Sequence, residues 1–481
     1  MLRTLLLVAL VGSTASFAAE PPKSDVIDLP RPAEGEYLGL YLNGKKIGYT
    51  FLKLGPVAGK PDQFESVNEF VMKAMVGNNK SERYLKDSRI YEAKPKGKLL
   101  SYVIEQKGDG GNQTLEATST AQGMRVLRKR PNQPNEILTL PAAKELVEDS
   151  DQYRLALKRG VKLEGTVVDS QDLDQYKLTT TPAAGPWAER TIGGVTVKVK
   201  KVTTISEKEK VATDVYIDEK GRILEMDFAG TMKAIAEPKD IAQKLDVVEV
   251  FSHTRIKLPK EPGPIAREIP GELVLVATGV PEKFRKDTYR QKFKALDKDQ
   301  VEITIQAIPP KVQNKVRPLT DPNGGANLKS TLAVEASHPK IVELAKKVAG
   351  DEKNAYAAAK KVVQWVAANM VKDYGASSDR ASDILQTMKG DCTEHALLSV
   401  AMLRALGIPA RRVDGVVYLM NDDKVPALYW HEWVEAYVGE WTQLDPTFNQ
   451  VVADATHFAV GEESNAEITP LIGSVNVLQV R

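Results

Sequence analysis

From Glu36 to about Ile256 the pattern of apolar and polar residues is a succession of strand-like runs separated by turn residues. Tyr37-Leu38-Gly39-Leu40-Tyr41-Leu42 runs into Asn43-Gly44 and then Ile47 to Phe51, which predicts a tight hairpin. Val195 to Val199 alternates with period two, and Val215 to Ile217 and Ile223 to Met226 flank the turn residues Asp218 to Gly221. Pro141 to Val147 and Tyr153 to Lys158 predict short helices. Residues 35–260 thus predict an antiparallel β domain with a hint of two similar halves and no strict repeat. Pro259, Pro262, Pro264 and Pro270 mark a boundary. Beyond it, 261–325 predicts a small β region (strands Leu273 to Ala277 and Val301 to Ile308) and a connector through Pro309-Pro310 and Asp321 to Gly325.

After residue 326 the period becomes helical. Ile341, Leu344, Ala345 and Val348 predict a helix over Pro339 to Val348 that stops at Gly350. Ala358, Val362, Trp365 and Val366 predict another over Asn354 to Met370. A short helical pattern, Ile384 to Lys389, ends at Gly390. Asp391, with Glu394 three residues on, reads as the capping box of a helix carrying Ala396, Leu397, Val400, Leu403 and Leu406. Gly407 and Pro409 close that helix. Leu428 to Val438 and Trp441 to Leu444 then predict two strands. The fold class expected is α+β: a mixed C-terminal domain, 326–481, behind antiparallel β-rich sequence.

Composition narrows the setting. The 481 residues are 42% hydrophobic and 27% charged with a net charge of +2, and no long basic run supports nucleic-acid binding. Arg3, the apolar run Leu5 to Val11 and Ser16-Phe17-Ala18 predict a signal peptide, 1–18, cleaved after Ala18. Residues 19–34 follow as a Pro-rich linker. The run is too short to span a bilayer, and no other segment is long enough to do so. The expectation is an exported protein, periplasmic or extracellular, with no transmembrane segment.

Against that setting the single cysteine, Cys392, stands out, because export usually goes with paired cysteines. Cys392 falls in the first turn of its helix, where unpaired N–H groups and the helix dipole favour a thiolate. Its own N–H could serve a developing oxyanion. Of five histidines, His395 lies one turn along the same helix, which suggests a supporting role; His253 and His338 sit in uninformative surroundings. His431 lies in a strand whose neighbour runs into Asp445. A two-residue loop would put Asp445 on the opposite face from His431. A three-residue loop, Val438-Gly439-Glu440, pairs Tyr437 with Trp441 and brings Asp445 to the His431 face, one diagonal step away. Cysteine on a helix start, with a base and a carboxylate on adjacent strands, is a nucleophile–base–orienter set.

Gly390 to Ala396, the helix end Ala405 to Arg411, His431 to Glu435 with Tyr437-Val438, Trp441 to Thr447, and Ala453-Asp454-Ala455-Thr456-His457 resemble the transglutaminase-like superfamily, especially exported bacterial members. The resemblance covers roughly 330–480. It implies a papain-like core, Cys392, His431 and Asp445 as catalytic residues, and acyl transfer through a thioester onto water or an amine. An aromatic near the oxyanion is known in some relatives, which makes Trp365 a candidate beside His395 for that role or for supporting the site. His457 reads as a structural histidine close by. The substrate implied is a protein or peptide, a cell-envelope partner is compatible with export, and no cofactor or metal is called for; Asp422-Asp423 alone cannot supply the six or more oxygens of a calcium site. A non-catalytic envelope-binding protein using the β domain is the other reading.

Overall fold

The structure, a computed structural model of the full chain, describes residues 24–481 apart from 77–78, 109–111, 132, 171–172, 209–211, 229, 231, 246, 250–253, 263–270, 298, 374–377, 379, 421–422, 463–470 and 472–473. The expected signal peptide, His253 and Asp422 lie outside the described residues. No described helix is long and apolar enough to cross a membrane.

Much of the chain before residue 260 forms one sheet, sixteen-stranded among the described residues. It consists of two antiparallel meanders, one from Glu36–Leu42 to Glu136–Leu140 and one from Leu163–Val168 to Met232–Ala236. They join edge to edge through their first and last strands, with Leu38 opposite Ala236 and Leu42 opposite Met232. The expected hairpin is present: Asn43 and Gly44 both take positive φ (48° and 77°), the backbone that a two-residue turn between twisted strands requires. The helix Gln152–Arg159 ties the two meanders together. Its Leu155 joins a core with Phe64, Tyr102, Leu115 and Val126, while Ala156 joins one with Leu38, Val202 and Val215.

The helix expected over Pro141 to Val147 does not form; a 3-10 turn begins only at Val147. The segment spends its backbone on neighbours instead: Leu99 N–H donates to the Glu145 carbonyl, and Val147 N–H to the Gly97 carbonyl. The Glu145 carboxylate, buried, takes Arg89 Nη1 at 2.5 Å and the Val168 N–H at 2.7 Å. The extended Glu145 thus joins Asp87 in satisfying the buried Arg89 guanidinium.

The protein as a whole is β-rich, and its longer helices gather in the C-terminal third. There Cys392–Ala405 is the central helix, buried at Ala396, Leu397, Leu398, Val400, Ala401, Met402 and Leu403. Pro339–Ala349, Ala355–Asn369 and Ala381–Thr387 pack around it through Ile341, Ala345, Val362, Val363 and Ile384. It ends as expected: Gly407 takes φ 72°, its N–H donates to the Arg404 carbonyl, and Ile408 N–H reaches back to Leu403.

Beside the helices stands a five-stranded sheet. A strand not recognised in the sequence, Ala410–Met420, lies between the His431 strand, Pro426–Tyr437, and Phe458–Glu462. The far edge of the His431 strand carries two short partners, Ile256–Lys257 opposite its start and Trp441–Leu444 opposite its end. A separate four-stranded sheet unites Glu272–Thr278, Gln291–Ala295 and Gln300–Gln306 with Asn476–Val480, so the end of the chain returns to residues 272–306. Its core, Leu273, Leu275 and Ile303, is continuous with Val416, Leu428 and Phe458 of the five-stranded sheet. The large sheet meets the helical region where Arg128 and Arg130 reach Asp383.

The three-residue loop is the one observed. Tyr437 pairs with Trp441, Val438 N–H donates to the Glu440 carbonyl at 3.0 Å, and Gly439 takes φ 116°. A Cβ at Gly439 would lie 2.6 Å from Lys315 Cγ and 3.0 Å from Val312 Cγ1. Gly439→Ala is therefore expected to cost about 1–2 kcal/mol, from the positive φ together with the contact, read as a lower urea midpoint at unchanged slope.

Candidate active site

The cysteine is positioned by its cap. Thr393 N–H donates to Asp391 Oδ1 at 2.8 Å, and Asp391 N–H donates to Glu394 Oε2 at 2.8 Å, closing the expected box. A Cβ on Gly390 would fall 2.2 Å from Glu394 Cβ, so the box closes only over glycine. Cys392 is 9% exposed. Burial first, and then the charges of Asp391 and Glu432, push its thiol well up; the backbone N–H of Glu432, which faces the sulfur, works the other way. This departs from the thiolate expected at a helix start. Asp391, which accepts the Thr393 N–H, offsets the positive end of the helix, while the carboxyls of Glu394 and Glu432 are themselves raised by burial. The contact also locates the thiol: it lies beside the residue following His431, on the edge that the two short strands leave open.

Register delivers Asp445. With Val434 opposite Leu444, the next pair along sets Asp445 beside Trp433, diagonal to His431. His431 Nε2 and Asp445 Oδ2 are 2.8 Å apart. Asp445 is 0% exposed, and its other oxygen accepts the N–H groups of Thr447 (2.6 Å) and Phe448 (3.1 Å). Burial alone would raise this carboxyl; the charge of His431 and the hydrogen bonds from His431 and His457 outweigh it and hold it well below the usual carboxylate range. The His431 ring is wedged between aromatic faces, with Phe448 at 4.8 Å and Trp433 at 5.9 Å, both tilted by 20°. Gly415, opposite His431, lets Trp433 in: a Cβ there would sit 2.5 Å from the indole and 2.2 Å from the Phe458 carbonyl oxygen.

Further support comes from groups that sequence reasoning passed over. Trp433 Nε1 donates to Gln443 Oε1 at 3.0 Å, and Arg290, buried and arriving from the four-stranded sheet, donates to the same oxygen at 2.8 Å. Trp433 and Gln443 lie two residues from His431 and Asp445, so strand periodicity could have found them. Nothing in the sequence links Arg290 to residues 150 positions away. His457 Nε2 lies 2.9 Å from Asp445 Oδ2, and its Nδ1 lies 3.0 Å from Asp454 Oδ1.

His395 is fully buried. Its Nδ1 donates to the Asp391 carbonyl at 2.6 Å, burial chiefly holds its pKa down, and its Nε2 has no hydrogen-bond partner. Trp365 packs partly buried against the helical core. Among the described residues, the rings around His431 are Trp433, Phe448 and His457, not Trp365. His338 caps the helix Pro339–Ala349, and Asp423 pairs with Arg255 at 2.5 Å. The ligand atoms of His431, Asp445 and His457 lie within 4.8 Å of one another, a spacing a metal ion could use. Each of those atoms is already hydrogen-bonded within the group, and none is assigned here as a metal ligand.

Residues 342–446 match the family model described as Transglutaminase-like superfamily. The C-terminal part of this chain is a transglutaminase-like domain. An uncharacterized protein of Mycobacterium leprae is 33% identical over 95 residues, 19% of this chain, and the match spans only 34% of that relative. Among solved structures, similarity extends to a candidate cysteine protease from Cytophaga hutchinsonii (18% identity, 44% of this chain and 83% of that one, TM-score 0.30). It also extends to the periplasmic domain of TgpA from Pseudomonas aeruginosa (15%, 40% and 93%, TM-score 0.26). A β-barrel-like protein of unknown function from Brucella abortus overlaps as well (12%, 42% and 94%, TM-score 0.31).

The buried charges of the transglutaminase-like domain make its stability depend on pH. Asp445, depressed in the folded protein, contributes stability that is fully present above its unfolded pKa of about 3.9 and lost as pH falls through the folded value. His457, raised, contributes stability present below its unfolded pKa of about 6.5 and lost as pH rises through the folded value. Asp445→Asn should therefore destabilise the protein by about 3–5 kcal/mol near pH 6, the usual cost of breaking a buried pair. Urea unfolding should show that deficit shrinking below about pH 4, where Asp445 takes up a proton in the unfolded chain while the folded carboxyl stays ionised.

Proposed function

We propose that the transglutaminase-like domain is a cysteine enzyme with a papain-like core, exported from the cytoplasm, that cleaves or exchanges amide bonds through a thioester. The observation that carries this reading is the buried His431–Asp445 hydrogen bond on the strand whose next N–H faces the sulfur of the chain's only cysteine. Cys392 is the nucleophile, His431 the base and Asp445 the group that orients it. Because Nε2 of His431 is turned to Asp445, Nδ1 is the nitrogen that works on the thiol. The thiol is held protonated at rest, so His431 takes its proton as the sulfur attacks the carbonyl carbon, rather than starting from a thiolate. The Cys392 N–H steadies the oxyanion. The imidazolium then passes its proton to the leaving amine as the C–N bond breaks. Water or a second amine, deprotonated by the same nitrogen, attacks the thioester and expels the sulfur. Hydrolysis is the favoured outcome, because water at about 55 M wins unless a site excludes it or binds an amine. Export rests on the signal-peptide pattern of residues 1–18.

The burial of Cys392 also favours a second reading, a binding protein whose cysteine is inert. Trapping the intermediate separates the two. Incubated with denatured casein as a general substrate, the full chain is expected to form a hydroxylamine-labile adduct on Cys392 and to release ammonia or new peptide ends. Turnover should vanish in Cys392→Ala and fall at least about 100-fold in His431→Ala. Undiminished turnover in Cys392→Ala would eliminate the proposed nucleophile.

A further inference from the structure

His457 takes no step in the proposed reaction, yet it is fully buried against the group that orients the base. Its two ring nitrogens face two carboxylates, Asp445 at 2.9 Å and Asp454 at 3.0 Å. Other donors fix both of these as acceptors. Asp445 takes the Thr447 and Phe448 N–H groups. Asp454 takes the Thr456 N–H at 2.8 Å, the Thr456 hydroxyl at 2.5 Å and the Gln450 amide at 2.7 Å. A neutral imidazole has one N–H and one bare nitrogen. The bare nitrogen would confront an ionised oxygen, acceptor against acceptor. Both contacts are hydrogen bonds only if both nitrogens carry protons.

We propose that His457 is a standing imidazolium, a positioning residue that divides the Asp445 carboxylate with His431 and so keeps His431 available as a neutral base. The proposal rests on the reading of Cys392 and His431 given above. A buried carboxylate with a single partner would bind the protonated form of that partner strongly, because charge attraction grows as the surrounding dielectric falls. His431 would then be held as an imidazolium and could not accept the thiol proton. His457 places a positive charge at the same oxygen, Oδ2, that His431 uses.

The charges around the ring agree. Asp445 and Asp454 are balanced by His457 and by Arg290, whose guanidinium donates to the Asp454 carbonyl at 2.5 Å. The group is therefore neutral while His431 is neutral. Farther out, Glu435 is paired with Arg411 at 2.6 Å, Lys372 lies over the outer ring of Phe448 at 5.5 Å, and His395 is kept uncharged by burial. Burial would push His457 down, but the hydrogen bonds and charges of Asp445 and Asp454 outweigh it and raise it.

Two measurements on the full chain test this. With 15N-labelled histidine, both ring nitrogens of His457, assigned by their loss in His457→Gln, should show protonated shifts at pH 7; one bare nitrogen would overturn the proposal without any variant having to function. In folded His457→Gln, the acid limb of Cys392 alkylation by iodoacetamide should move up by about one pH unit, about tenfold in rate on that limb. A uniform loss of rate with no shift, or a shift downward, would leave His457 merely structural. His431→Ala separates the two readings: a profile unchanged from wild type there defeats the Cys392–His431 pair, while the nitrogen shifts still decide the charge of His457.

Discussion

A carboxylate with no exposure to water must have every oxygen satisfied, and Asp445 meets that requirement with two backbone N–H groups on one oxygen and two imidazole nitrogens on the other. Much of the local architecture follows. The backbone donors exist because the chain turns immediately after the strand Trp441–Leu444. The imidazoles reach it because the three-residue loop at Gly439 sets the register, and because the chain returns alongside the strand Trp441–Leu444, where Ala453 N–H donates to the Gln443 carbonyl. Trp433 and Phe448 stack on the His431 ring, which presents its Nε2 to Asp445. The four-stranded sheet is part of the same construction, since Arg290 anchors Gln443 and the Asp454 carbonyl together.

The thiol is subject to an opposing constraint. Starting a buried helix at Cys392 requires donors to be capped, and Asp391 and Glu394 do so, with the charge of Asp391 set beside the sulfur. A helix start makes a reactive thiolate only where its positive end is left uncompensated. Here the cap that fixes the position of Cys392 also raises its thiol, through burial and the charge of Asp391. In the proposed reaction the chemistry then depends on His431, whose ring is held by Asp445, Trp433 and Phe448.

Local signals made much of this legible. The capping box, the glycine stop at Gly407, the Asn43-Gly44 turn and the strand register around Gly439 are set by residues within a few positions of each other, and each forms as its sequence suggests. What escaped was set by partners far away. Pro141 to Val147 is extended because Glu145 answers Arg89, and the strand Ala410–Met420 was hidden by burial along nearly its whole length, which removes the alternation that marks a half-exposed strand. Arg290 lies in a different sheet. His457 stood in a recognisable segment, but its two-sided contact with Asp445 and Asp454 exists only in three dimensions. The charge beside Cys392 was legible in Asp391, which serves as a cap and as a charge, whereas the burial that raises the thiol was not.

The central claim is that His431 is the group that makes a proton-holding Cys392 reactive. The most direct test is the rate of Cys392 alkylation at pH 7 in the wild-type chain and in folded His431→Ala, which needs no substrate because the chain has no other thiol. The account predicts a fall of at least about tenfold on losing the base. Equal rates in the two proteins would contradict it.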